Sequence, residues 1–260
     1  MNNTEVAYRI RQDIIRLAIE AKTGHIASGL SFVEIISVIF NDFQDPANSK
    51  FPHHFILSKG HGAIAYYAAL RVFEVITEDV FMSYEKPESR LTTFPTEPYL
   101  PGLTFASGSL GHGLGVACGT ALSQKMEGKS EKSFCILSDG EIQEGAIWEG
   151  VLFAAHNKLS NLVVFVDGNK LQAIDKVENV NTVNFMKMFE AAGWCIQSID
   201  GHDVNEIRKA IDRCSSKLPN IIYADTVKGK GVSFMENSLD WHYFGLHGEF
   251  IDMAKKEVGL

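Results

Sequence analysis

Cysteine is scarce in this chain. The 260 residues include four cysteines, at positions 118, 135, 195 and 214, and no two of them form a CxxC pair. This spacing offers neither a disulfide framework nor a thiolate metal site, and it is typical of proteins from a reducing compartment. We therefore expect a cytoplasmic location.

Long apolar runs and an excess of positive charge are also missing. No apolar run approaches the ~20 residues that a membrane span needs, and the N-terminus MNNTEVAYRI lacks the apolar core of a signal peptide. The chain has 24 basic and 32 acidic side chains, for a formal net charge of -8. Because the electrostatic field of a negatively charged protein does not attract polyanions, we expect neither nucleic acid nor a membrane as partner. Any phosphate group must be bound by a local arrangement of residues.

What is present is a regular alternation of strand-like and helical patterns. Short β-rich runs cover 134–138, 162–166, 194–199 and 221–227, and a helical stretch separates each from the next. This alternation predicts an α/β fold, a parallel sheet with helices on both faces. The length fits one or two domains, and since no linker or repeat divides it, we expect a single domain over residues 1–260.

Local signals predict two helix starts and one functional loop. Thr4 is placed to cap a helix over 6–21, and Ser31 with Glu34 has the spacing of a capping box. Residues 83–101 hold four of the seven prolines and show little periodicity. Because structureless loops of this length are usually functional, we interpret this one as a candidate active-site loop.

Four short polar or glycine-rich segments follow predicted strands or open helices, where ligands of parallel sheets bind. They are Ser58 to Gly62, Gly108 to Gly115, Ser138 to Gly140, and Asp167 to Asn169. Glycine-rich turns at helix starts let backbone N–H groups approach phosphate oxygens. The alternative is an ordinary tight turn, and for 108–115 it is the simpler one, since Gly115 and Gly119 could merely allow close helix packing.

Asp139 and Asn169 are the most informative pair in these segments. Each follows a predicted strand, and together they offer one carboxylate and one amide oxygen, hard ligands that suit Mg²⁺. A site with a single protein charge implies a polyphosphate that supplies further oxygens. Asp139 as a helix cap and Asn169 as a left-handed turn residue stay open as alternatives.

Longer strings resemble a known family. LSDGEIQEGAIWEG, followed about thirty residues later by VDGNKLQAID, resembles the thiamine-diphosphate motif. TGHIASGLS, LSKGHGAIAYYAAL and FASGSLGHGLGVACGTAL resemble further motifs of transketolases, in the same order and over nearly the whole chain. The resemblance implies the thiamine-diphosphate-binding fold and the diphosphate-binding half of a transketolase, of the kind encoded as a separate N-terminal subunit.

The resemblance also implies roles for individual residues. Asp139, Asn169 and the backbone carbonyl of Leu171 match the Mg²⁺ ligands. The residues implied to contact thiamine diphosphate lie in turns and at strand ends: His61, Gly108, Ser109, Leu110, Gly111, Gly113, Gly140, Glu141, Asn169 and His242. The implied catalytic residues are His25, which would contact the donor sugar, His61 and His242 near the diphosphate, and Glu144 in a carboxylate network between subunits.

Histidine chemistry agrees with these roles, because imidazoles transfer protons near neutral pH. His25, His61 and His242 come from distant regions, and each follows a turn. His247 is a competitor for the position of His242. We interpret the remaining histidines considered, His53, His54, His156 and His202, as surface or packing residues.

The chain departs from the family pattern at three positions. A His-Pro pair in the long loop is replaced by Phe94-Pro95, the usual Gln of the glycine-rich segment is His112, and the first Gly of the GDG motif is Ser138. Loss of the loop histidine removes a hydrogen bond to the donor worth about 0.5–3 kcal/mol. We hypothesise a donor that is less hydroxylated, or differently modified at its first carbons, than that of ordinary transketolases.

The leading hypothesis is half of an enzyme. With thiamine diphosphate and Mg²⁺ it would transfer a two-carbon ketol unit from a ketose to an aldose, acting on sugars or sugar phosphates. The partner that we expect is a separate C-terminal, pyrimidine-binding subunit, in an α2β2 assembly, since the chain has the length of one of the two domains such a site needs.

Two enzyme alternatives share the metal motif: the α-type subunit of a 2-oxo acid dehydrogenase and a 1-deoxyxylulose-phosphate-synthase-like protein. The SKGHG and GSLGHG segments weigh against both. A non-catalytic partner-binding subunit is the alternative from another class. A dinucleotide site is the weakest, because no G-x-G-x-x-G follows a strand.

Overall fold

A five-stranded parallel sheet lies at the centre of the computed structural model, which describes residues 1–22, 24–43, 54–96, 105–129 and 131–260. The strand order is β1-β2-β3-β5-β4, and all four pairings are parallel. The strands are β1 (Phe55–Leu57), β2 (Ser133–Ser138), β3 (Leu162–Gly168), β4 (Cys195–Asp200) and β5 (Asn220–Asp225). The four strands predicted after residue 130 are confirmed with ends shifted by one or two residues.

Helices connect the strands. They are α1 (Asn3–Ala21), α2 (Ile26–Leu30), α3 (Val33–Asp42), α4 (Ala63–Val72), α5 (Glu78–Phe81), α6 (Gly113–Met126), α7 (Gly145–His156), α8 (Val177–Val180), α9 (Phe185–Ala191), α10 (Val204–Asp212) and α11 (Glu249–Val258). Among the residues described, no helix has the length and apolar character needed to cross a membrane.

Both faces of the sheet are buried. Successive strand residues point to opposite faces, so Val163 packs with α1, α3 and α4 while Val164 packs with α6 and α7. Strands covered on both faces have continuous apolar runs rather than alternating ones, as β3 does. The predicted fold class is confirmed. The described part of the chain contains a single sheet.

Two predicted helix caps are wrong. Helix α1 is capped by Asn2, whose side chain accepts a hydrogen bond from the N–H of Glu5 at 2.8 Å, so Thr4 lies inside the helix. Helix α3 begins after Phe32, which has no side-chain capping bond. The hydroxyl of Ser31 and the carboxylate of Glu34 instead bond to distant parts of the chain, described below.

The candidate loop 83–101 returns to the sheet edge. Pro95 accepts a hydrogen bond from the N–H of Ser107 at 2.8 Å, which sets the loop beside the segment that leads into α6. Its last part, 97–101, lies outside the described residues, as does His53.

Candidate active site

The carboxyl ends of the parallel strands bring the predicted segments to one edge of the sheet. Residues 58–62 follow β1, Asp139 follows β2, Asn169 follows β3 and residues 226–228 follow β5. A cavity of about 830 Å³ opens there, with Asp139, Asn169 and Leu171 in its wall. The structure therefore places the three implied metal ligands together.

Asp139 and the loop after β3 are oriented by short hydrogen bonds. Asp139 is 6% exposed, and its two carboxylate oxygens accept from the N–H of Gly140 at 2.8 Å and of Lys170 at 2.5 Å. Each oxygen keeps a lone pair for a cation. The Gly140 N–H is already used by Asp139, so a diphosphate oxygen would have to share it.

Asn169 is fixed from both ends of its amide. Its oxygen accepts from the N–H of Leu171 at 3.2 Å, and its nitrogen donates to Asp167 at 3.1 Å. The left-handed residue of this turn is Lys170, with φ 67°, and not Asn169. Neither local alternative holds: Asn169 is not the left-handed residue, and Asp139 makes no side-chain cap to the helical turn that follows it. The contacts that the two residues do make are compatible with ligation.

The electrostatics of this corner favour a cation. Burial, and then the charge of Asp167, raises the pKa of Asp139 to about 6. Within the described part of the chain no group of three or more His, Cys, Asp or Glu side chains forms a metal site. The donors that the resemblance implies are one carboxylate, one amide and one carbonyl, a hard oxygen set that suits Mg²⁺ when phosphates complete its shell.

Asp167 is the buried centre of the site. It has no exposure and accepts from Lys59, from the hydroxyls of Ser31 and Thr226, and from Asn169. Burial alone would raise the pKa of Asp167, but the charge and hydrogen bond of Lys59 and the two hydroxyl bonds hold it below its usual value. This carboxylate thereby joins the ends of β1, β3 and β5.

Two buried lysines border the site, and sequence reasoning missed both. Lys59 has no exposure; besides Asp167 it donates to the carbonyl of Ser28 at 3.1 Å. Lys228 is 1% exposed and donates to Nδ1 of His242 at 2.6 Å. Burial, and then the charge of Lys59, lowers the pKa of Lys228 to about 8, so it stays mainly protonated at pH 7. Their positions directly after β1 and β5 were the available signal.

Three histidines meet beside these lysines. The ring of His25 lies 5.7 Å from that of His61 and 5.5 Å from that of His242, between centroids. His247 is exposed and bonds to the carbonyl of Gly245, so His242 is the histidine at the predicted position. Phe94 also touches this cluster, 5.8 Å from His25, which brings the candidate loop to the site.

The three imidazoles are neutral at pH 7. Burial, and then the charge of Lys228, lowers the pKa of His25 and of His242 to about 4. Burial, followed by the charge of Lys59, lowers the pKa of His61 well below its usual value. Neutral rings can donate at one nitrogen and accept at the other, which suits hydrogen bonding to substrate hydroxyl and carbonyl groups.

His25 has a left-handed backbone, with φ 60°, and follows a glycine that is covered by an aromatic ring. A Cβ at Gly24 would lie 2.5 Å from the ring of Tyr243, whose centroid is 4.8 Å from that of His25. Only glycine leaves room for this contact. Strained backbone of this kind is held where surrounding packing fixes it, often at functional sites.

The glycine-rich turn is tied to the strand ends by Glu141. This fully buried carboxylate accepts from the hydroxyl of Ser58 at 2.5 Å and from the N–H groups of Gly111 at 2.8 Å and Ser138 at 3.2 Å. The hydroxyl of Ser58 in turn accepts from the N–H of Gly113 at 3.0 Å. Glu141 therefore positions the glycine-rich turn. Its carboxylate would act on a cofactor indirectly, through the position of that turn.

The remaining turn residues lie at the outer side of the site. Gly108 and Ser109 are exposed, Leu110 is half-buried, and the exposed Glu144 lies against Gly111 at the start of α7. A Cβ at Gly115 or Gly119 would meet nothing within 4 Å in the described structure. Close helix packing among the described residues therefore does not explain these two glycines.

Orphaned polar atoms show that the edge fits a ligand. Nδ1 of His25 and the hydroxyls of Ser28 and Ser107 are buried, and none has a hydrogen-bond partner in the described part of the chain. Buried polar atoms are almost always paired, so these three have hydrogen-bonding capacity left for a bound group. Together with the hard oxygen ligands and the buried cation Lys228, they fit a metal–diphosphate group.

The fold and this edge define a candidate ligand site at the carboxyl ends of the strands of a parallel α/β sheet. The sequence profile of the family described as transketolase, thiamine diphosphate binding domain, matches residues 3–260, and the chain belongs to this family. The resemblance stated from the motifs is confirmed, and with it thiamine diphosphate as the cofactor.

Relatives and solved structures agree. The chain is 35% identical to an apulose-4-phosphate transketolase subunit of Actinobacillus succinogenes, over 97% of this chain and 94% of that one. It is 33% identical to a 6-deoxy-6-sulfo-D-fructose transketolase subunit of a Clostridium species, over 90% and 88%. Human transketolase is 37% identical over 92% of this chain but only 39% of its own length. The structure of Campylobacter jejuni transketolase superposes with a TM-score of 0.90 at 28% identity, covering all of this chain and 43% of that one.

Proposed function

We propose that this chain is the diphosphate-binding subunit of a two-subunit transketolase, which transfers a two-carbon ketol unit from a ketose to an aldose with thiamine diphosphate and Mg²⁺. The observation that carries the proposal is that Lys228 links the Asp139–Asn169 pair to the three-histidine cluster at one sheet edge: it donates to His242, and its charge interacts with that of Asp139. Relatives of matching length are named as transketolase subunits, which supports a separate partner.

The side chains divide the work by position. Asp139, Asn169 and the carbonyl of Leu171 would hold Mg²⁺, and Lys228 would neutralise diphosphate charge, since its ammonium is buried beside them. When bound, thiamine diphosphate supplies the carbanion stabilisation that ketol transfer needs. The protein's own task is to orient the donor and move protons.

The neutral histidines would perform that proton movement. His25 has Nδ1 without a partner among the described residues, which leaves this atom for a hydroxyl of the donor. His242 receives a hydrogen bond from Lys228 on Nδ1, so its other nitrogen carries the proton and can donate. The ring of His61 lies beside that of His25, 5.7 Å away between centroids, in the same cluster.

An exposed apolar surface on α6 and α7 supports the proposal that a partner subunit binds this chain. Its large members are Val116, Met126, Leu152 and Phe153, with exposures of 37%, 81%, 64% and 44%. Beside them a groove of about 430 Å³ is floored by Gly115 and Gly119. We propose that the C-terminal, pyrimidine-binding subunit covers this surface, in an α2β2 assembly where Glu144 faces that subunit.

Four free cysteines support a cytoplasmic location.

Coexpression tests the proposal. The chain alone should show no ketol transfer, and the complex with a pyrimidine-binding subunit from a neighbouring reading frame should show it, dependent on thiamine diphosphate and Mg²⁺. Leu152→Asp should prevent co-purification, because it places a charge in an apolar contact, whereas Leu218→Asp, exposed to 39% before β5, should not. Robust transfer by the lone chain refutes the split site, and release of CO₂ from a 2-oxo acid favours the other enzyme class.

The position of Phe94 supports the donor hypothesis. Phe94 presents a ring with no hydrogen-bonding atom to His25, where ordinary transketolases have a histidine. Two relatives are named for apulose 4-phosphate and for 6-deoxy-6-sulfo-D-fructose, so chains of this kind serve unlike sugars. We propose that the donor here differs likewise from xylulose 5-phosphate.

Phe94→His should raise kcat/KM of the assembled enzyme for xylulose 5-phosphate by about tenfold, since one hydrogen bond to the donor is worth about 1–1.5 kcal/mol. Phe94→Leu is the matched control, because it shortens the side chain without adding a hydrogen-bonding atom, and it should give no gain. The measurement is a donor panel of xylulose 5-phosphate, apulose 4-phosphate and 6-deoxy-6-sulfo-D-fructose. Equal use of xylulose 5-phosphate and the best other donor by the wild type would contradict the hypothesis.

A further inference from the structure

His202 lies in the turn after β4, away from the three-histidine cluster, and both of its ring nitrogens are engaged. Nδ1 lies 2.9 Å from Oε2 of Glu34, and Nε2 accepts a hydrogen bond from the N–H of Val227 at 2.8 Å. Because a backbone N–H can only donate, Nε2 must be the acceptor and Nδ1 carries the proton. The imidazole is therefore a fixed bridge between α3 and the segment after β5.

Glu34 extends this bridge to a second anchor. It is 9% exposed, and its other oxygen accepts from Arg11 at 2.6 Å. The Nε–H of Arg11 donates to the carbonyl of Lys230 at 3.0 Å. One buried carboxylate thus orients two side chains, His202 and Arg11, that hold the same turn at Val227 and at Lys230.

Lys228 lies between these two anchor points. The next residue, Gly229, donates its N–H to the carbonyl of Ala27 at 2.9 Å, which fixes the turn against α2. With its backbone held on both sides, the ammonium of Lys228 is set beside His242 in the site. The hydrogen bonds of Arg11, Glu34 and His202 within the described residues do not include that ammonium, so their action on it passes through the backbone.

We propose that His202 is a positioning residue: with Glu34 and Arg11 it fixes the 227–230 turn and thereby sets the affinity of the site for diphosphate. The inference rests on the role proposed above for Lys228. It goes against the sequence interpretation of His202 as a surface or packing residue, since the ring is bonded at both nitrogens and is not solvent-directed. Loss of the bridge releases the Val227 N–H and unlocks the turn.

The experiment compares variants of the full chain. His202→Leu removes both hydrogen bonds, and His202→Gln restores one donor and one acceptor within its amide. His156→Leu, at the exposed end of α7, is the matched control. Calorimetry measures the affinity for inorganic pyrophosphate and for thiamine diphosphate, each with Mg²⁺, and hydrogen exchange measures the opening of residues 226–231.

His202→Leu should weaken binding of both ligands by about tenfold and speed exchange in 226–231, His202→Gln should recover most of both, and His156→Leu should change neither. A double-mutant cycle with Lys228→Met decides whether the effect passes through Lys228. When Lys228 is already replaced by Met, adding His202→Leu should lower the affinity for pyrophosphate and thiamine diphosphate little further.

The outcomes separate the two proposals. If Lys228→Met leaves pyrophosphate affinity unchanged, or the wild type does not bind pyrophosphate, the role of Lys228 fails and the inference fails with it. If Lys228→Met weakens binding but His202→Leu does not, or the two effects simply add, the positioning role of His202 alone is overturned. A general loss of stability without localised exchange would also overturn it.

Discussion

Asp139→Ala is expected to abolish Mg²⁺-dependent binding of thiamine diphosphate, with a loss of affinity of more than about 100-fold. Asp139 supplies the only carboxylate among the three implied ligands, and Mg²⁺ holds few protein ligands, so no other group replaces its charge. Asp139→Asn should behave similarly, because it keeps the volume but not the charge. Calorimetric titration with and without Mg²⁺ measures the effect.

Asp225→Ala is the control for that experiment. Asp225 ends β5 at the same edge of the sheet, but it is exposed and pairs with Lys170 at 2.7 Å. It should leave cofactor affinity nearly unchanged. An Asp139→Ala protein that binds thiamine diphosphate with wild-type affinity and metal dependence would contradict the site. If it lost cofactor binding yet the assembly kept its full biological function, the non-catalytic partner-binding alternative would gain support.

Lys59→Met is expected to lower the free energy of unfolding of the apo chain by about 3–5 kcal/mol. Lys59 and Asp167 form a fully buried pair, and removing one partner leaves a charge without compensation in a dry environment. The remaining bonds from Ser31 and Thr226 soften this loss but carry no charge. Urea unfolding monitored by circular dichroism measures the change.

The double variant Lys59→Met/Asp167→Asn should recover a large part of that loss, since it removes the uncompensated charge together with its partner. Lys129→Met, which breaks an exposed pair with Glu127, is the matched control and should have little effect. Equal effects of the buried and exposed substitutions would mean that the Lys59–Asp167 pair does not stabilise the fold.

The fold could be predicted from the sequence because its strands are short apolar runs separated by helical patterns, which is sufficient for a parallel sheet. The order of the strands could not. Strand β5 inserts between β3 and β4, so β4 is an edge strand, although it precedes β5 in the chain. That arrangement depends on how crossover helices pack, which local periodicity does not contain.

Site residues that directly follow a strand could be predicted from the sequence. Contacts between charged or polar residues far apart in the chain could not. Asp139 and Asn169 came from the strand-end rule. Ser31 has the spacing of a helix cap, but its hydroxyl bonds instead to a carboxylate 136 residues away. The Lys59–Asp167 pair likewise joins residues 108 apart. Pairing of this kind is a product of the tertiary structure, so no local pattern could reveal that the lysines are buried.

Glu141 has a consequence for engineering. Its one carboxylate joins the segment after β1, the segment after β2 and the turn that opens α6, and a Cβ at Gly113 would lie 2.4 Å from Ser58. These three segments therefore depend on one another and can be exchanged between enzymes only together. A graft of residues 108–113 from another enzyme requires that Ser58 and Glu141 be transferred with it.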